Sequence, residues 1–223
     1  MSLQERANGH GSSIRTTDWT LVVPVKPAAI GKSRLAPFAG KHRMAIARAM
    51  ALDTVNAALA CRRVAEVIAV TQDPESGAAL AAFGAIVVGD EPDAGLNAAL
   101  LHGATRAWER RPGCPVGAML GDLPALRPEE LALVLDKARD YSQAFVPDAD
   151  GVGTTLYCAT ERVGFTPRFG GSSSDAHRAS GAVELALPDA ASVRRDVDTE
   201  GDLMAALALG VGPRTRAAVA FLL

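Results

Sequence analysis

A short apolar run, Leu21-Val22-Val23-Pro24-Val25, breaks at once into a loop that carries Lys26, Gly31, Lys32 and Arg34. This junction constrains the chain most. A buried strand that runs into a basic, glycine-containing loop ahead of a helix is how α/β proteins receive phosphates at the carboxyl edge of a sheet. Gly31 lets the backbone approach an anion, and the three cations offset charge that bare amides cannot. The loop is not a Walker A sequence, because GxxxxGK[ST] is absent. Spacing alone leaves two readings open: a cradle for a nucleoside triphosphate, or three ordinary surface cations beside a turn.

The rest of the chain alternates in the same manner. The Ala-rich segment Lys41 to Ala60 predicts a helix with Leu52, Val55 and Leu59 on one face. Strands are expected at Val64–Val70, Ala85–Val88 and Val116–Leu120, and helices at Pro74–Phe83, Leu96–Arg110 and from Pro128 onward. Leu131, Val134, Leu135 and Ala138 form the core face of that last helix. Ala144–Pro147 and Gly153–Ala159 read as strands about a turn at Asp148–Gly151. Arg162–Ser180 reads as irregular, Val183–Leu187 and Val193–Val197 as late strands. Thr199-Glu200-Gly201-Asp202 caps a helix that ends at Gly210, and Pro213 opens a last short one. Strands alternating with helices predict a Rossmann-like three-layer α/β sandwich with a mostly parallel sheet and a mixed edge. Residues 1–18 are read as a loose tail and 19–223 as one domain.

Composition narrows the function. A chain of 223 residues that is 48% hydrophobic can bury a full core. A formal charge of −2 argues against a general nucleic-acid or membrane-surface binder, so an anion site must be a local cluster of cations. Cys61, Cys114 and Cys158 have neither metal spacing nor a disulfide framework, which suits a reducing cytoplasm. No apolar run reaches the ~20 residues that span a bilayer. Oligomeric state is left open.

Chemistry should gather where strands end. Asp122 follows a buried strand directly, at the place where a metal or ligand can reach it. Mg²⁺ is held by one or two carboxylates together with phosphates. A turn Asp that bonds local backbone is the equal alternative. In Arg194-Arg195-Asp196-Val197-Asp198 the two acids share a face if the strand continues, and Asp196 could share a cation with Asp122. Asp198 is read as part of a helix start. Arg162, Arg168, His177 and Arg178 lie among small Gly and Ser residues, which suit a phosphate or carboxylate and equally suit a surface loop. His177 is read as a helix-surface residue rather than a base. Thr71 and Asn97 sit where a base could be read, or where a helix is capped.

Taken in order, Val25-Lys26…Lys32-Ser33-Arg34-Leu35-Ala36, Gly121-Asp122-Leu123-Pro124, Gly153-Thr154-Thr155, Arg168-Phe169-Gly170…Ser173-Ser174…His177, Gly181-Ala182-Val183-Glu184 and Asp196-Val197-Asp198-Thr199-Glu200-Gly201-Asp202-Leu203 resemble the guanylyltransferases of coenzyme F-420 biosynthesis. These act on phosphoenolpyruvate or 2-phospho-L-lactate, and the likeness is strongest to the actinobacterial branch that uses phosphoenolpyruvate. The resemblance runs from about Trp19 to the end and is most specific in RFG-x-x-SS-x-x-H followed by DVDT. It implies a nucleotide-diphospho-sugar-transferase-like fold and a reaction that uses GTP and Mg²⁺. By position it implies that Asp122 and Asp196 hold the metal and that Lys26, Lys32 and Arg34 meet the triphosphate. Lys32 counts among the catalytic residues on this reading. The resemblance further implies Asn97 near the nucleoside and Thr154, Gly170 and Ser173 on phosphoenolpyruvate.

On this reading a phosphate oxygen of the acceptor, already ionised near neutral pH, attacks the α-phosphorus of GTP, and no general base is needed. The resemblance does not choose among phosphoenolpyruvate, 2-phospho-L-lactate and a phosphoglycerate. A nucleotidyltransferase with another substrate pair, a glycosyltransferase on the same fold and a silent nucleotide-binding module are the rivals.

Overall fold

Near-continuous apolar runs such as Leu21-Val22-Val23 require a sheet covered on both faces, and the computed structural model has that arrangement. It describes residues 18–27, 35–90 and 94–220. The tail, the basic-loop residues Gly31, Lys32 and Arg34, and residues 91–93 of the acidic loop lie outside the described residues.

Seven strands form one sheet: β1 (Trp19–Pro24), β2 (Val64–Val70), β3 (Ile86–Val88), β4 (Val116–Met119), β5 (Gln143–Pro147), β6 (Thr154–Ala159) and β7 (Val183–Glu184). Their order is β3-β2-β1-β4-β6-β5-β7. β1 to β4 are parallel, β6 runs antiparallel to both β4 and β5, and β7 is parallel to β5. The sheet is therefore mostly parallel and mixed, as expected. The reversed strand, however, lies inside the sheet between β4 and β5 rather than at its edge.

Period-two alternation sorts the core. Trp19, Leu21 and Val23 of β1, Val67 and Ala69 of β2, and Leu156 and Cys158 of β6 point to one face. That face is covered by α2 (Arg43–Leu59) through Leu52, Val55 and Leu59, and by α5 (Pro128–Ala138) through Leu131, Val134, Leu135 and Ala138. Val22, Ile68, Val70, Ala118 and Tyr157 point to the other face, under α4 (Leu96–Arg110) and the Phe165–Ala182 stretch. Each fully buried Leu, Val or Phe contributes on the order of 1.5–3 kcal/mol. The Trp19 indole N–H donates to the carbonyl of Leu135 at 3.1 Å, which pins α5 to the first strand.

A third cluster joins α1 (Ala36–Ala39), α2, α8 (Glu200–Leu209) and α9 (Pro213–Ala218) through Leu35, Ile46, Met50, Val197, Leu203 and Val219. The predicted cap of α8 is a full capping box between Thr199 and Asp202. The start of α9 is capped from far away: buried Asp53 on α2 accepts the backbone N–H of Thr215 at 2.7 Å and of Arg214 at 3.3 Å. α3 (Pro74–Ala82) begins with Asp73 as its own cap.

Three segments depart from expectation. Val193–Val197 is no strand: α7 (Ala191–Arg194) occupies its first half and open chain the second. Buried Glu130 accepts the Ser192 N–H at 2.8 Å, and the Arg194 guanidinium donates to the carbonyls of Pro147 and Asp148 at 3.2 and 2.7 Å. Those bonds replace a strand ladder. Of Val183–Leu187 only Val183 and Glu184 form a strand, paired with β5. Arg162–Ser180 contains a single 3-10 turn at Arg162–Gly164 and a helix, α6 (Ser173–Ala179).

Candidate active site

The carboxyl ends of β1 and β4 converge on one point. At Gly121 a Cβ would sit 3.0 Å from the carbonyl oxygen of Pro24 and within 3.6 Å of Val23 and Val25 side chains. Only glycine fits comfortably, and its small size draws the Gly121-Asp122 turn against the end of β1. Lys26, exposed, leaves the sheet two residues past Pro24. The predicted Lys26 and Asp122 thus emerge at the same sheet edge.

Asp122 is half-buried, and its turn is held from two sides. Thr54 on α2 is fully buried. Its hydroxyl donates to Met50 O at 2.8 Å and accepts the Leu123 N–H at 3.0 Å. From the other side the Val197 N–H donates to the Asp122 carbonyl at 3.2 Å. Val197 is a buried member of the third core cluster, so the residue before it, Asp196, is delivered to the edge of the Asp122 turn. The two carboxylate residues come together from positions 74 apart in sequence, and the path is a loop rather than the strand face that the spacing suggested.

The same edge continues onto β6. The Leu120 N–H donates to the Thr155 carbonyl at 2.9 Å, and extending the β4–β6 register sets Gly121 opposite Thr154. Because β6 runs in reverse, its first residue, not its last, reaches the site.

Around Thr154 the chain builds a second corner. The Ser174 N–H donates to the Val152 carbonyl at 3.1 Å, and the Ser174 hydroxyl to the Gly153 carbonyl. The Thr154 hydroxyl lies 3.0 Å from His177 Nδ1, and the Arg168 N–H donates to His177 Nε2 at 2.9 Å. Three successive residues before and in β6 are therefore tied to α6. Ser173 is buried as the first residue of that helix, and Gly170 is exposed with φ +109°, a left-handed value that suits glycine. Asn97 on α4 locks the loop from behind. Its side-chain amide donates to the Phe169 carbonyl at 3.0 Å and accepts the Phe169 N–H at 2.8 Å. The structure thus gathers Thr154, Ser173 and the Phe169-Gly170 turn into one corner. Asn97 stands behind it with part of its amide already committed.

His177 is fully buried, which corrects its reading as a helix-surface residue. Its ring stacks on Tyr157 with centroids 4.7 Å apart, on Phe145 at 5.6 Å, and meets Phe169 edge-on at 5.4 Å. Burial among these rings pushes its pKa down to about 4; the Ser173 carbonyl opposes that shift and the Arg168 guanidinium adds to it. The ring is neutral in the physiological range.

Comparison with known proteins bears on this arrangement. A family model described as a MobA-like NTP transferase domain matches residues 33–181. The chain is 58% identical over 202 residues to a phosphoenolpyruvate guanylyltransferase from Thermomonospora curvata, covering 91% of this chain and 89% of that one. It is 57% identical over 206 residues to a phosphoenolpyruvate guanylyltransferase from Streptomyces coelicolor, covering 92% and 97%. The chain belongs to the phosphoenolpyruvate guanylyltransferase family. It is a nucleotidyltransferase. In fold it is similar to a candidate nucleotide-diphospho-sugar transferase from Desulfovibrio desulfuricans G20, with TM-score 0.65 at 17% identity over 92% of this chain and 94% of that one.

In this member of the guanylyltransferase family, Thr71 closes β2 at the same sheet edge. Its N–H donates to Val88 O at 3.0 Å and its hydroxyl accepts the Asp73 N–H at 3.2 Å, so it braces the start of α3. Cys61, Cys114 and Cys158 are buried, free, and raised in pKa by burial, which leaves none of them as a nucleophile. No described helix is long and apolar enough to cross a membrane. Sequence reasoning missed Thr54, Glu130 and the burial of His177. For His177 a signal existed: Ser173, Ser174 and His177 repeat at the spacing of one helix face. Thr54 and Glu130 are visible only through contacts across 69 and 62 residues.

Proposed function

We propose that this chain transfers the GMP unit of GTP to the phosphate of phosphoenolpyruvate, forming enolpyruvyl-diphospho-guanosine and releasing pyrophosphate. The observation that carries the reading is the meeting of two hydrogen bonds at one sheet edge. Val197 N–H to Asp122 O joins the two acidic residues, and Leu120 N–H to Thr155 O sets the acceptor corner beside them. The names of relatives at 57–58% identity support the choice of nucleotide and acceptor.

Asp122 and Asp196 would hold a divalent ion, Mg²⁺ on our reading. The donor set fits: two carboxylates are hard oxygen ligands that leave room for phosphate oxygens. Among the described residues no group of three or more His, Cys, Asp or Glu side chains stands ready to enclose a metal, so substrate oxygens would complete the shell. Such an ion would supply positive charge to offset that of the phosphates. Lys26, with Lys32 and Arg34 beyond the described residues, neutralises the triphosphate. Thr154, Gly170 and Ser173 hold the phospho-carboxylate. An oxygen of its phosphate attacks the α-phosphorus in line, the bond to the β-phosphate oxygen breaks, and its electron pair leaves with pyrophosphate. The attacking oxygen is already ionised, so no proton need be removed. The task of the residues is to bring two polyanions together in the right geometry. Asn97 would lie near the nucleoside, while its amide holds the Phe169-Gly170 loop of the acceptor corner. The reading carries with it a role in coenzyme F-420 biosynthesis, a cytoplasmic setting and a single domain from residue 19 to 223.

The test is pyrophosphate release with GTP and Mg²⁺ against phosphoenolpyruvate, 2-phospho-L-lactate and phosphoglycerate in parallel. Release with phosphoenolpyruvate well above the other two is expected. Release of a nucleoside diphosphate instead, or none with any acceptor, overturns the reading.

A further inference from the structure

We propose that His177 is a positioning residue that holds the Thr154 hydroxyl as a hydrogen-bond donor for the anionic acceptor. The inference deepens the proposed function and rests on its assignment of Thr154 to the acceptor.

The argument begins with a proton count. A backbone amide can only donate, so the Arg168 N–H, 2.9 Å from His177 Nε2, requires that nitrogen to be an unprotonated acceptor. The ring must keep at least one hydrogen, and it therefore sits on Nδ1. Nδ1 faces the Thr154 hydroxyl at 3.0 Å. The ring hydrogen thus meets oxygens only, the Thr154 hydroxyl and the Ser173 carbonyl that also bears on the ring, and the threonine's own hydrogen is turned away from the ring. A hydroxyl free to rotate could aim either a hydrogen or a lone pair at a ligand. This one is left with its hydrogen for a phosphate or carboxylate oxygen, which is the favourable choice for an anion.

The ring is fixed well enough to enforce that choice. It is packed between Tyr157 and Phe145, edge-on to Phe169, and stays neutral through its burial. The charged group that bears on it is Arg168, which disfavours a second ring proton. Ser174 hooks α6 onto Val152 and Gly153, so the histidine and the threonine cannot drift apart independently. A neutral histidine also suits the task, since a titrating ring would reverse the Nε2 contact.

Two measurements test this. On the wild-type protein labelled with ¹⁵N-histidine, NMR should show His177 with Nδ1 protonated and Nε2 bare, and the opposite tautomer overturns the proposal. In kinetics, His177→Gln can still accept the Arg168 N–H but does not reach Thr154, whereas His177→Asn keeps a donor near the Nδ1 position. We expect His177→Gln to raise KM for phosphoenolpyruvate about tenfold with KM for GTP unchanged, and His177→Asn to recover most of that loss. Thr154→Val should raise the same KM, and in its background His177→Gln should add nothing more. An equal further rise in the double variant, or equal changes in both KM values, shows a structural role only and overturns the proposal. If Thr154→Val leaves the acceptor KM unchanged, the assignment of Thr154 itself fails, and the proposal with it. Should His177→Gln not fold, His177→Phe keeps the stack, lacks the donor, and must show the same acceptor-selective rise.

Discussion

The backbone N–H of Val197 donates to the carbonyl of Asp122 at 3.2 Å, and this one bond ties the end of β4 to a loop 75 residues further along the chain. Asp196 stands next to the donor and Asp122 is the acceptor. Two acids that a linear reading could only list side by side are held at one place by main-chain geometry.

If that pair grips a divalent ion, removing either charge leaves two polyanions facing each other uncompensated. Asp122→Asn and Asp196→Asn should each lower kcat/KM by about 1,000-fold or more, which is ~4 kcal/mol of barrier. Circular dichroism and Tm should stay close to wild type, because the fold uses the Asp122 carbonyl, which the substitution retains. Near wild-type turnover in both variants would rule the assignment out.

Thr54 serves that turn from below. Thr54→Val keeps the volume but leaves the buried Leu123 N–H without its acceptor. The cost should be about 1–3 kcal/mol in urea unfolding, and Thr54→Ser should restore most of it. Because the unmet amide adjoins Asp122, turnover should fall as well, and unchanged activity in a destabilised Thr54→Val would separate the brace from the chemistry.

His177 makes stability depend on pH in a defined direction. Its pKa is near 4 in the folded protein, below the ordinary value of 6.5, so the unfolded chain binds the extra proton more readily. The contribution is fully present above pH 6.5 and is lost as pH falls from there toward 4. Its size is at most ~3 kcal/mol. Denaturant midpoints measured between pH 7.5 and 4.5 should decline through that window, and the decline should be shallower in His177→Phe.

Asp53 offers a purely structural control. Its carboxylate caps α9 across 162 residues of sequence, and Gly212 packs so close that a Cβ there would fall 2.4 Å from the Asp53 carboxyl carbon. Asp53→Ala should cost about 1–2 kcal/mol, in the range of a lost helix cap, with both KM values unchanged. A shift in either KM would show that α9 communicates with the site.

Much of the fold was legible because local patterns and tertiary packing agree. Leu21 to Val23, Val67 to Val70 and the Leu131–Ala138 helix face occupy the core positions that their periodicity demands. The misread segments are those where side-chain bonds replace regular pairing. Val193 and Val197 look like strand residues, yet Ser192 is claimed by Glu130 and Arg194 by the end of β5. Gly170-Gly171-Ser172 disguises the start of α6, whose few turns are stable only when docked. The positions of Asp122 and Thr154 at a strand terminus were readable one at a time. Their neighbourhood was not, because it depends on β6 entering the sheet in reverse, a pairing decided across 37 to 43 residues of chain.

That reversal divides the protein's labour. Parallel strands supply the half that carries Lys26 and Asp122, while the antiparallel β5–β6 pair and α6 supply the half that carries Thr154 and Ser173. Their strands meet along one seam, Val116–Met119 against Leu156–Ala159, and Asn97 on α4 bonds Phe169 across the same divide. If the proposed acceptor corner is right, a designer wishing to change the molecule that receives the nucleotide could rebuild the stretches that flank β6, residues 148–153 and 160–180. The seam and the donor side would be left as they are.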